Sequence, residues 1–104
     1  MATDRLKLLH EFYDDDPGDP FNLYALALEY LKHDPSTSRD LFQKLLKTHP
    51  AYLPTYYHAA KLYVDLGEIE NAKTVYENGI SLAAKLNDTK AQRELRSAYD
   101  ELMF

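Results

Sequence analysis

His10, His33, His49 and His58 are the side chains of this chain best suited to hold a metal or to move a proton, and their spacing favours neither. No two of them lie three or four residues apart, so no helical turn brings a pair together, and H-E-x-x-H is absent. The acid run Asp14-Asp15-Asp16 has the composition of a calcium loop but not its order, because Gly18 stands where the third ligand of D-x-[DN]-x-[DN]-G belongs. A solvated loop is the reading that remains. With no cysteine there is no thiolate zinc site, disulfide or cysteine nucleophile. Neither G-x-S-x-G nor G-x-x-x-x-G-K-[ST] occurs, and Gly18, Gly67 and Gly79 are too few and too scattered for a phosphate-cradling loop. The expectation is no enzyme, no cofactor and no metal.

The tyrosines are more informative. From Leu53 to Leu86 the chain reads LPTYYHAAKLYVDLGEIENAKTVYENGISLAAKL. Tyr56, Ala59, Ala60 and Tyr63 lie at i, i+3, i+4 and i+7, which is one face of a helix, and Ala72, Val75, Tyr76, Gly79 and Ile80 form a second such face. Asp65-Leu66-Gly67 separates them. Gly67 can take the left-handed conformation that ends a helix, so the two runs form an antiparallel pair. Small residues on one helix leave room for aromatics on the other. The same pattern also suits an amphipathic hairpin in a small bundle.

Leu23, Leu26, Ala27 and Tyr30 repeat Tyr56, Ala59, Ala60 and Tyr63 at an offset of 33, and Ser38 and Phe42 repeat Ala72 and Tyr76 at an offset of 34. One residue is missing between Tyr30 and Ser38, in a loop, where a deletion costs least. This two-helix unit resembles the tetratricopeptide repeat, with its W-x2-L-G-x2-Y and A-x3-F…P pattern and a period of roughly 34 residues. Leu23 stands for the usual Trp, Ala27 and Ala60 for Gly, Gly79 for Ala, and Ala84 for the late proline of the second unit, whose helix therefore has nothing to stop it before about Leu86.

Within that resemblance residues 1–104 form one domain. Repeat one spans 20–52 and repeat two 53–86. A helix from Asp4 to Tyr13, opened by Thr3 as N-cap and closed before Pro17, resembles a second half-repeat over 4–17, with Leu9 and Phe12 at core positions. Asp19 and Pro20 open the next helix. Residues 88–104 make a capping helix, with Ala91, Leu95, Ala98, Tyr99 and Leu102 on one face. The expected fold is all-α: about six helices in a right-handed superhelical α-solenoid. Two repeats and two half-units meet the usual need for about three units.

The resemblance also implies a surface. First helices of such repeats line a concave groove, here through Phe21, Tyr24, Ala25, Leu28 and Leu31 in repeat one, and Pro54, Tyr57, His58, Lys61 and Val64 in repeat two. Tyr24, Leu28 and Leu31 point away from the Leu23, Ala27 and Tyr30 face, leaving a strip that is apolar and aromatic. Lys61 could hold an acidic group there. The Lys, Asn and Arg clamp of receptors for chaperone tails is missing, since Tyr24, Leu28 and His58 occupy its places and only Arg93 lies nearby with suitable charge.

A protein scaffold that takes a partner's peptide or helix is therefore expected. The alternative is a self-associating, homodimeric module, and a C-terminal helix folded over the groove would make Tyr24 and Leu28 core. A formal charge of -5 counts against nucleic acid. The uncharged run Pro20 to Leu28 is far too short to span a bilayer, and the first six residues lack a signal-peptide core, so the expected setting is cytoplasmic.

Overall fold

A computed structural model describes residues 4–104, so the N-cap expected at Thr3 lies outside the described residues. Six helices and no strand occur among the described residues: α1 (Asp4–Asp15), α2 (Pro20–Tyr30), α3 (Pro35–Thr48), α4 (Pro54–Asp65), α5 (Ile69–Lys85) and α6 (Thr89–Met103). The chain divides into two compact units at the bond between Tyr52 and Leu53.

In the first unit α2 packs against both α1 and α3. Leu6, Leu9 and Leu26 form a buried cluster, with Tyr13, Ala25, Tyr30 and Leu41 packed around it. The helix starts are set by acid and proline. Asp19 accepts from the Phe21 N–H at 2.9 Å, and Asp34 accepts from Thr37 through both its N–H and its hydroxyl, each followed by proline in the first helical position. The Thr37 hydroxyl, with backbone donors behind it, holds the Asp34 carboxyl below its usual pKa. Inside the α2–α3 contact the fully buried Ser38 donates its hydroxyl to the Ala27 carbonyl at 2.7 Å.

Two details of α1 differ from expectation. The helix runs on to Asp15, since no proline intervenes before Pro17. Phe12 is not core: it is 48% exposed, because Leu6, Leu9 and Tyr13 make up the stripe that meets α2 and Phe12 falls beside it.

The second unit packs α4 on α5 and α5 on α6. Its two turns are the same device built from different residues. Gly67, at φ 78°, donates to the Val64 carbonyl while Glu68 donates to that of Tyr63; Asn87, at φ 57°, donates to Ala84 while Asp88 donates to Ala83. Both are left-handed caps with the paired bonds of a Schellman motif, and asparagine tolerates that conformation better than other side chains. Asp88 then caps α6 by accepting from the Ala91 N–H at 3.0 Å. With Ala84 where the proline would stand, α5 continues to Lys85.

Tyr56, Ala59, Ala60, Tyr63, Ala72, Val75, Tyr76, Gly79 and Ile80 are all buried, which is the face read from their spacing. Gly79 fixes how close the helices come. A β-carbon there would lie 2.8 Å from the Tyr56 Cβ and 3.2 Å from the Leu95 Cδ1, inside contact distance of both neighbouring helices.

Candidate partner-binding surface

The outer face of α4 carries Tyr57, Lys61 and Val64 at i, i+4 and i+7, with Asp65 one residue on. Across from it α6 presents Ala98, Glu101 and Leu102, and Tyr76 of α5 closes the floor. These eight residues line an open cleft of about 320 Å³. Its rim is exposed at Tyr57, Lys61, Asp65 and Glu101, and Val64, Ala98 and Leu102 are half-buried within it. Tyr76 is only 4% exposed, and its phenol pKa is pushed up by burial first, then by Tyr57, Asp65 and Glu101.

His58 does not line the cleft but stands beside it, edge-on to the Tyr57 ring at 5.6 Å. Burial, and then the nearby Lys61 ammonium, lower its pKa, so the ring is neutral at physiological pH. Pro54 is exposed at the N-terminal end of the same helix.

On α2 the expected strip is partly covered. Phe21 is 58% exposed, whereas Tyr24, Leu28 and Leu31 are half-buried. Tyr24 meets the ring of Tyr52 edge-on at 5.6 Å, and burial, followed by the neighbouring Tyr52, raises its pKa. Ala25 belongs elsewhere: it packs on the Leu6–Leu9–Leu26 cluster, because it faces α1.

Sequence reasoning missed five residues of the cleft: Asp65, Tyr76, Ala98, Glu101 and Leu102. Spacing places Tyr76, Ala98 and Leu102 on packing faces, whereas no spacing marks Asp65 or Glu101. Missed too was the ionic cluster at Glu29. This buried carboxylate receives the Arg5 Nε at 3.0 Å, with His33 Nε2 at 3.2 Å and Lys32 Nζ at 3.6 Å. The His33 bond first, and then Arg5 and Lys32, lower its pKa against the opposing effect of burial. Two more histidines have structural partners, His10 with the Tyr30 hydroxyl at 2.8 Å and His49 with the Gly18 carbonyl at 3.1 Å. Among the described residues no three His, Cys, Asp or Glu side chains are grouped to hold a metal, and no helix is long and apolar enough to cross a membrane.

No protein-family model matches the chain, and no curated protein does so significantly. Among solved structures, the solution NMR structure of a tetratricopeptide repeat domain protein from Salinibacter ruber is 43% identical. The match covers 84% of this chain and 89% of that one, with a TM-score of 0.79. The chain belongs to the tetratricopeptide repeat family. A crystal structure of the tetratricopeptide repeat domain protein from Salinibacter ruber agrees, at 41% identity over 82% of this chain and 97% of that chain, with a TM-score of 0.78. MamA shares the fold alone, at 18% identity and a TM-score of 0.67 over 94% of this chain and 64% of its own. The molecule is thus an all-α helical repeat of the solenoid class. Tetratricopeptide repeats are in general protein-protein interaction scaffolds rather than enzymes, and this chain carries that scaffold.

Proposed function

We propose that this tetratricopeptide protein is a cytoplasmic binding scaffold, without catalysis or cofactor, that receives a peptide or helix of a partner protein on the first helix of each repeat. The contact residues are Phe21, Tyr24, Leu28 and Leu31 on α2, and Tyr57, His58, Lys61 and Val64 on α4. Repeats at 20–52 and 53–86, with half-repeats at 4–17 and 88–104, are the units of this reading.

The observation that carries it is the cleft beside Tyr57, where aromatic and aliphatic side chains stay accessible although burying them would stabilise the fold. Aromatic anchors of this kind supply much of the energy of protein interfaces, each worth roughly 1 to 4 kcal/mol on truncation. A second copy of the chain is the other occupant with the right chemistry.

The test is selection of peptides from a displayed library on the purified chain, repeated with Tyr24→Ala plus Tyr57→Ala. Enrichment of peptides with apolar or aromatic anchors, lost in the double variant, is the expected result. Peptide selection unchanged by the two alanines would remove these residues from the interface. A solution mass that doubles with concentration, and returns to the monomer value in the same variant, would assign the surface to self-association.

A further inference from the structure

We infer that the cleft between α4 and α6 receives an arginine side chain of the partner, its guanidinium held by Asp65 and Glu101 against the ring of Tyr57. This inference rests on the scaffold reading above and supplies the partner's chemistry.

Three features of the cleft point the same way. The first is charge. Asp65 and Glu101 stand on opposite walls with Lys61 as the single cation, and none of the three forms an ion pair among the described residues. Two carboxylates against one ammonium leave the cleft negative, as is the whole chain. Lys61 is exposed at the rim and can swing its head into water, whereas Asp65 and Glu101 have short stems on facing helices.

The second is the Tyr76 hydroxyl. The residue is 4% exposed and faces the cleft, yet its hydroxyl has no hydrogen-bond partner among the described residues. The oxygen is not among the buried polar atoms closed off from solvent, so it opens on the cleft beside the two carboxylates and adds an acceptor for a forked donor. Lying next to Asp65 and Glu101 also raises its pKa, so it stays a neutral hydroxyl.

The third is shape. The space of about 320 Å³ sits at the small end of ligand pockets and suits one long side chain rather than a cofactor. Val64, Ala98 and Leu102 offer an apolar sleeve for an aliphatic stem, and the exposed Tyr57 offers an aromatic ring for a planar cation. Guanidinium matches carboxylate geometry with a fork of donors and stacks on aromatic rings, which an ammonium does less well.

The experiment is an amide-resolved NMR titration with three acetylated, amidated pentapeptides having leucine on both sides of a central arginine, norleucine or glutamate. The arginine peptide should give saturable shifts at Asp65, Tyr76 and Glu101, and bind at least about tenfold more tightly than the other two, a difference of about 1.4 kcal/mol. Asp65→Asn with Glu101→Gln, both exposed positions, should abolish that preference with the melting temperature unchanged. Lys61→Ala should tighten the arginine peptide, and added salt should weaken it. Absence of arginine shifts in the cleft overturns the inference, and so does tighter glutamate binding that Lys61→Ala abolishes. Norleucine peptide binding on α4 with no arginine preference would leave the scaffold reading standing and remove this one.

Discussion

Glu29 on α2 and Leu62 on α4 occupy equivalent repeat positions 33 residues apart, and each is 6% exposed. One unit fills the place with a carboxylate tied to Arg5, Lys32 and His33; the other fills it with a hydrocarbon. The contrast recurs. Ser38 bonds the Ala27 carbonyl across α2 and α3, while its equivalent Ala72 offers no polar atom. Leu23 and Leu45 in the first unit correspond to Tyr56 and Gly79 in the second, so a pair of medium side chains becomes one large ring against bare backbone. The repeat thus prescribes which positions are buried and leaves open how each is satisfied. The first unit uses charge and hydrogen bonds, and the second uses close helix approach.

The largest expected effect strikes the packed unit. Tyr63→Ala removes a buried ring of α4 and should cost about 3 to 5 kcal/mol through the cavity it leaves, read by equilibrium denaturant unfolding. A loss below about 1 kcal/mol would mean that the seam of the second unit is not close-packed.

Next comes Gly79→Ala. In an open helix this change stabilises by up to about 1 kcal/mol. Here the added methyl meets the Tyr56 Cβ, an atom too near its backbone to swing aside, so a net loss of about 1 to 2 kcal/mol is expected. Stabilisation would contradict the close approach of α4 and α5.

Converting the first unit toward the second is gentler. Ser38→Ala installs the residue of the equivalent position and should cost about 1 kcal/mol, the net worth of one buried hydrogen bond. A neutral result would show that the bond orients α3 without stabilising it.

Glu29→Leu goes further in chemistry but not in stability at neutral pH, since Arg5 and Lys32 are exposed enough to return to water. Its signature is in acid. A carboxyl whose folded pKa is lowered contributes stability above its ordinary value of 4.5, and that contribution disappears as pH falls below 4.5 through the folded value. Thermal melts across that range should therefore lose a pH-dependent component in Glu29→Leu. Parallel pH profiles for parent and variant would show that the cluster adds no stability.

How much was legible follows from the same contrast. Periodicity located the Tyr56–Tyr63 and Ala72–Ile80 faces, and turn and cap residues located the Gly67 turn and the Asp19 cap, because each is fixed by neighbours within a few residues. The Glu29 cluster was illegible, since Arg5 lies 24 residues away and nothing local aims one at the other. Phe12 and Ala25 were misplaced for a related reason: the repeat pattern says which face of α1 or α2 is apolar, and only the partner helix decides where that face ends. The cleft was half legible. Tyr57, Lys61 and Val64 followed from the register of α4, but the second carboxylate comes from α6 and no spacing rule links Asp65 to Glu101.

The functional account requires that the tyrosines assigned to the partner not be tyrosines of the core. Equilibrium unfolding of Tyr24→Ala plus Tyr57→Ala, beside Tyr63→Ala on the same day and in the same buffer, tests this most directly. The account predicts a combined loss of about 1 to 2 kcal/mol, chiefly from the Tyr24–Tyr52 ring contact, against several for Tyr63 alone. A double variant as unstable as Tyr63→Ala would return both side chains to the interior and contradict the binding surface.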